Sequence, residues 1–253
     1  MLNIKKITFL ITSVVCLIGF TSCTETDETT ADNSVSQTVS IGENGVTDII
    51  TPSEDSEEYN LGSYRISENG IKLYYDDAYI PTELMLTLEK YFISFQNNDF
   101  ESYKTALVDD YIERYNKYLI ENYSTEDEEY NLKDSFELRC KYIRDYMIQE
   151  ILGTYEIPED DTHTGDFSIT RIKAEQTALF EGETLEELTE KFFQDSNDNF
   201  KMDYYNYIRE QSDSLKYFTF YIIAEGEDGK EHKIISETDI IFAEKNGKYY
   251  TFG

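Results

Sequence analysis

The run Pro158-Glu159-Asp160-Asp161-Thr162-His163-Thr164-Gly165-Asp166 gathers carboxylates together with one of the chain's 2 histidines. Hard cations such as Ca²⁺ take several oxygens from a flexible loop, so Glu159 to Asp166 is the first place to look for a cation. Its spacing does not fit a calcium-binding loop. Counted from Asp160, Arg171 stands where a bidentate glutamate must close the coordination shell. Counted from Asp195, Phe200 takes the place of the glycine needed for the sharp turn. The loop is read as a solvated connection ahead of a strand, and neither a metal site nor a cofactor is expected.

Catalytic groupings are no better supplied. Zinc chemistry needs converging His, Cys or carboxylate ligands, and the candidates are His163, His232 and Cys140, with no His-Glu-x-x-His run. No Gly-x-Ser-x-Gly elbow presents a serine, and His232 stands between Glu231 and Lys233 in a charged turn. Glycine is sparse, at 12 residues, and no Gly-x-x-x-x-Gly-Lys occurs to cradle phosphates. What remains is a supply of 22 tyrosines and Asp239, set in a strand beside apolar neighbours. A tyrosine and an acid can share general acid and base work in a pocket. With so many tyrosines such a pair is expected by chance, so no catalytic residue is assigned.

The elements that must position these groups sit in a chain of 253 residues with a formal charge of −30. That field repels phosphate backbones and anionic headgroups, so a nucleic-acid partner is not expected. Apolar residues at 40% are enough for one globular core. Cys140 is the one thiol beyond the N-terminal region, which excludes a disulfide within the folded part. It falls on the apolar stripe of a helix and reads as a small buried hydrophobe.

The chain opens with Lys5 and Lys6 followed by an uncharged, mostly apolar run from Ile7 to Phe20. Fourteen residues are fewer than the roughly 20 a spanning helix needs, which suits a cleaved export leader over residues 1–22. The run ends in Phe20-Thr21-Ser22-Cys23, which resembles the lipobox of bacterial lipoproteins of Gram-positive type: an aliphatic residue, two small residues, then cysteine. Phe20 departs from the pattern, since leucine is usual there. The resemblance implies that Cys23 carries a diacylglyceryl group and becomes the first mature residue. The partner it implies is the cell membrane, held through the lipid anchor on its outer, extracytoplasmic face.

Residues 23–60 are rich in Thr, Ser, Asp, Glu and Asn, a composition that cannot offset ordering entropy, and they are read as a disordered acidic tether. Within it Val39 to Val46 could close a small hairpin at Asn44-Gly45. Residues 61–253 are expected to form a single α+β domain. It should open with a hairpin turning at Asn69-Gly70 in a type I′ turn. Four helical segments then follow: Leu84 to Phe95, a short piece near Phe100 to Leu107, Tyr111 to Leu119 with Asp109 as cap, and one from Asp134 to a stop at Gly153. A strand with a bulge near Thr170 precedes a helix opened by the capping box Thr184 with Glu187, and a weaker helix covers Asp203 to Gln211. The chain closes in strands from Leu215 to Phe252, with turns at Glu227-Asp228-Gly229 and Asn246-Gly247. Apolar residues on both faces of the first of these strands, Phe218 and Ile222 against Tyr217 and Ile223, call for cover on both sides.

Helices packed on a curved, mainly antiparallel sheet in this order are similar to the NTF2-like cone, over about Tyr79 to Phe252. That resemblance implies a small-molecule pocket of isomerase or hydrolase type as one possibility for function. The expectation favoured by the residues is a noncatalytic module that binds a small ligand or another envelope protein. A purely structural envelope component is the third.

Overall fold

The computed structural model describes residues 40–123, 132–153 and 166–252, and within them the chain is α+β. Six strands form one curled mixed sheet in sequence order, β1 Arg65–Ile66, β2 Lys72–Tyr74, β3 Phe167–Gln176, β4 Ser214–Gly226, β5 Glu231–Lys245 and β6 Lys248–Thr251. All neighbours are antiparallel except β2 and β3, which run parallel with Tyr74 opposite Lys173. A parallel pair needs a long crossover, and this one is filled by helices α1 Thr82–Gln96, α2 Phe100–Thr105, α3 Tyr111–Tyr123 and α4 Leu132–Leu152. Between β3 and β4 come α5 Leu185–Phe192, α6 Gln194–Phe200 and α7 Tyr204–Gln211.

Local chemistry sets most of these boundaries. Pro81, extended at φ −60° and ψ 147°, stands immediately before α1, and Asn98 ends that helical stretch in the left-handed region at φ 51°. Asp99 accepts from the Ser102 amide to cap α2, and Asp203 accepts from the Asn206 amide to cap α7. The Thr184 and Glu187 capping box is formed in both directions. Gly153, at φ 62°, follows the last residue of α4. The register of β3 against β4 slips between Ile169 and Arg171, which is the bulge at Thr170. Asn246 and Gly247, both at positive φ, make the two-residue turn between β5 and β6.

The turn at Asn69-Gly70 differs from expectation. Only Gly70 has positive φ, the Gly70 amide bonds to the Ser67 carbonyl and the Ser67 amide to the Ile71 carbonyl. A type I′ turn needs positive φ at two residues, so this is a longer loop closed by a left-handed glycine. Asn69 instead turns its side-chain amide to Glu89 of α1 at 2.9 Å.

The core lies between α1 and one face of the sheet. Leu84, Leu88, Phe92 and Phe95 of α1 are buried, as are Phe218, Phe220, Ile222 and Ala224 of β4. Phe92 meets Phe220 at 5.1 Å between ring centroids, and Phe218 stacks on Phe242 at 5.8 Å. A second aromatic group, Phe193, Tyr204 and Phe252, ties α5, α7 and the C-terminal strand together.

Two expectations are corrected. Strand β4 is deeply buried on one face only, since Tyr217, Tyr221 and Ile223 are half-buried. Cover there is shared between a helix and long cations: Phe192 of α5 meets Tyr217 at 6.0 Å between ring centroids, and Lys173 and Lys233 lie over the Tyr221 ring at 5.6 and 5.3 Å. The second correction concerns the tether over residues 23–60. Its later part, residues 40–60, packs on the domain as a strap, so the folded unit begins before residue 61. Val46 is 1% exposed and bridges Ser67, and Ile50 exchanges backbone hydrogen bonds with Tyr64 at 2.8 and 3.0 Å. A polar tract needs only one apolar anchor and a strand edge to dock, because β1 supplies the hydrogen bonds its composition cannot. Asn44-Gly45 does turn, with Gly42 bonding Val46, but the strap pairs with β1 and not with itself.

Candidate ligand cleft

A cleft of about 590 Å³ opens where the strap crosses the end of β2 and β3. Its walls are Tyr64, Tyr74, Tyr75 and Tyr79, with Arg65, Asp76, Asp77, Lys173, Glu175 and Gln176 between them. Each tyrosine is placed by a different device. Tyr64 is fixed by its backbone pairing with Ile50, and Tyr74 by the parallel register with Lys173. The Tyr75 hydroxyl meets Thr82 Oγ1 at 2.9 Å, at the head of α1. Tyr79 lies in a turn whose Asp76 carbonyl accepts from its amide, and it is 58% exposed.

The cleft's charges are largely paired within its own walls. Arg65 meets Asp77 at 2.5 Å and donates to the Thr47 carbonyl of the strap at 3.1 Å, while Lys173 pairs with Glu175. Burial raises the hydroxyl pKa of Tyr74 and of Tyr64, and nearby Glu58 adds to both shifts. Burial also raises that of Tyr75. These phenols stay protonated at physiological pH, so none is a phenolate base. The Tyr74 oxygen is buried with no hydrogen-bond partner.

Beside the cleft, the outer sheet face carries an ion-pair chain. Glu58 of the strap pairs with Lys72 and lies 3.7 Å from Arg171, which meets Glu231 at 2.7 Å. This chain pins the strap's 3-10 turn, Glu57–Leu61, onto β2 and β3. A second hollow, about 640 Å³, runs along α3, but every residue lining it comes from 109–121. One helix and its start cannot enclose a ligand, so the cleft under the strap is the better candidate.

Other sequence candidates are scattered. Cys23, His163 and the loop from Glu159 to Gly165 lie outside the described residues. Asp166, the loop's last acid, faces Arg144 at 3.4 Å. Cys140 is not in a disulfide and is fully buried on α4. His232 sits 3.2 Å from Asp228 in the turn before β5. Asp239 does meet a tyrosine: it accepts from Tyr217 at 3.0 Å and from Thr219 at 2.6 Å. Both oxygens are thereby engaged on the outer sheet face, away from the packed interior. Among the described residues no three His, Cys, Asp or Glu side chains are grouped to hold a metal ion.

Sequence reasoning missed Glu89, although an acid between Leu88 and Phe92 on the buried stripe of α1 is a visible anomaly. It is 1% exposed, accepts from Ser67 at 2.6 Å and from Asn69, and its Oε2 has no partner. Burial raises its pKa, and the hydrogen bonds from Ser67 and Asn69 oppose the shift in part. A raised pKa means that the fold favours the neutral form. Its contribution is complete in acid, below the pKa of the unfolded chain, and is lost as pH rises through the folded pKa. Glu89→Gln keeps an acceptor for Ser67 and Asn69 and cannot ionise. Its melting temperature relative to the native chain should therefore climb as pH rises above the ordinary carboxylate range. A difference that does not change with pH would exclude this role.

No protein family, curated protein or solved structure matches the chain.

Proposed function

We propose that the chain is a lipid-anchored extracytoplasmic binding module, with Cys23 as the anchor and the tyrosine cleft as the seat of a small ligand or an envelope partner. The observation that carries this reading is the cleft itself. Its volume of about 590 Å³ falls within the range of small-molecule sites, roughly 300 to 1,000 Å³, and aromatic walls with a few placed polar groups are the usual lining. An NTF2-like cone is the finer reading of the α+β fold, supported by α1 lying against a curled sheet and by the antiparallel order from β3 to β6. An enzyme of that type would work from a pocket inside the cone. Here that space holds Leu88, Phe92, Phe218 and Phe220, all buried, which favours binding on the outside.

Saturation-transfer NMR of a fragment library against the full chain tests the site. Fragments that bind should lose their signal with Tyr79→Ala, while stability stays within about 0.5 kcal/mol because the side chain is largely exposed. Fragments that persist with the variant would put binding elsewhere, and an empty screen would count against a binding module altogether.

A further inference from the structure

We infer that the cleft takes a neutral polyhydroxylated ring compound, a short uncharged oligosaccharide. This rests on the cleft being a ligand site, and it follows from matching the walls against each class of ligand in turn.

An anion is disfavoured by the balance of charge. The lining holds two cations, Arg65 and Lys173, and three acids, Asp76, Asp77 and Glu175. Both cations are already paired, with Asp77 and Glu175, and the whole chain stands at −30. A phosphate or carboxylate would have to break an existing pair and enter a negative field. A quaternary ammonium ion could in principle use the tyrosine faces, but Lys72 already lies over the Tyr64 ring at 5.2 Å. Arg65 and Lys173 in the same walls would repel it. A purely apolar ligand would strip water from Asp76, Glu175 and Gln176 and return no hydrogen bonds, which is costly.

A neutral sugar meets all of these walls at once. The C–H face of one of its rings lies against Tyr79, the wall tyrosine that is more than half exposed, with half-buried Tyr75 beside it, while Tyr74 is buried and Lys72 covers Tyr64. Its own hydroxyls donate to Asp76, Asp77 and Glu175 and accept from Arg65, Lys173 and the Gln176 amide. No existing ion pair needs to open, because a hydroxyl can share an oxygen already bonded to a cation. Tyr79, more than half exposed at the rim, offers the ring surface onto which an incoming sugar docks.

The test is calorimetric titration of the full chain, held in a detergent without sugar headgroups, with cellopentaose, xylopentaose, maltopentaose and chitopentaose. Heparin oligosaccharide and choline serve as the anionic and cationic counterparts. At least one neutral probe should bind in the micromolar to millimolar range. Tyr79→Ala and Gln176→Ala should each weaken it tenfold or more, with the melting temperature of Tyr79→Ala unchanged. If a charged probe binds and the neutral ones do not, and Tyr79→Ala removes that binding, the cleft stands and the ligand class is overturned. If a neutral probe binds both variants as it binds the native chain, the sugar site lies elsewhere and the inference fails. If no probe of any class binds, and hydrogen exchange of the strap over residues 46–60 is unmoved by all of them, the cleft reading falls with it.

Discussion

Phe92→Ala should destabilise the domain by about 3 to 5 kcal/mol, the cost of emptying an aromatic position in a packed core. Phe92 is 4% exposed on α1 and meets Phe220 of β4, Tyr91 and Phe95, with ring centroids 5.1, 5.0 and 5.9 Å away. It is a point at which helix and sheet interlock, and its neighbours, held by the helix on one side and β4 on the other, cannot all collapse into the gap. Urea unfolding followed by circular dichroism measures the loss as a fall in midpoint at constant slope. The size of the effect bears on function as well as stability. If the cone were hollow, removing a ring from its wall would enlarge space already present and cost about 1 kcal/mol or less. A loss that small would restore an interior pocket, and with it the enzymatic reading.

Signals confined to a few neighbouring residues were legible in the sequence. The capping box at Thr184 and Glu187, the bulge at Thr170, the stop at Gly153 and the turn at Asn246-Gly247 all lie where their residue types demand. Each is decided by backbone geometry that the local sequence controls. What was not legible depends on partners far along the chain. The parallel pairing of β2 with β3 joins Tyr74 to Lys173, and nothing in a three-residue strand announces its neighbour. The strap was hidden for the same reason. Averaged over residues 40–60 the composition is polar, yet docking needed only Val46 and a free strand edge, and the edge belongs to β1.

The tyrosines show where pattern reading ends. Tyr74, Tyr103 and Tyr204 are wholly buried, and Tyr79 is mostly exposed, although the residue type is the same. An amphipathic ring satisfies a core, a rim and a ligand wall equally, so its role is set by what crosses above it. For Tyr64 and Tyr74 that is the strap, held down by Glu58 against Lys72 and Arg171. Once the strap was read as tether, the cleft beneath it had no second wall and could not be foreseen.

Cys23→Ser should move the protein from the membrane fraction into the soluble fraction, lowering the membrane-bound share tenfold or more. No helix among the described residues is long and apolar enough to cross a bilayer. At −30 the chain also has no electrostatic attraction to anionic headgroups. On the proposed reading, hydrocarbon on the Cys23 sulfur supplies the membrane affinity. At about 0.8 kcal/mol per buried methylene, two acyl chains hold a protein stably where a single chain exchanges off. Cys16→Ser is the matched control: it lies inside the apolar run of the leader and should leave the distribution unchanged. Intact mass of the mature chain should show a diacylglyceryl adduct on Cys23 in the native protein and none in Cys23→Ser. Retention of Cys23→Ser on washed membranes at the native level would mean that the leader stays in place as a membrane segment. The folded strap adds a geometric consequence. Sixteen residues, 24–39, separate Cys23 from the strap, and such a stretch reaches at most roughly 55 Å when fully extended. An anchor at Cys23 therefore keeps the cleft close to the bilayer, and lengthening the segment between Ser34 and Gln37 by twenty Gly-Ser residues should raise access of a membrane-excluded antibody to the domain without releasing it.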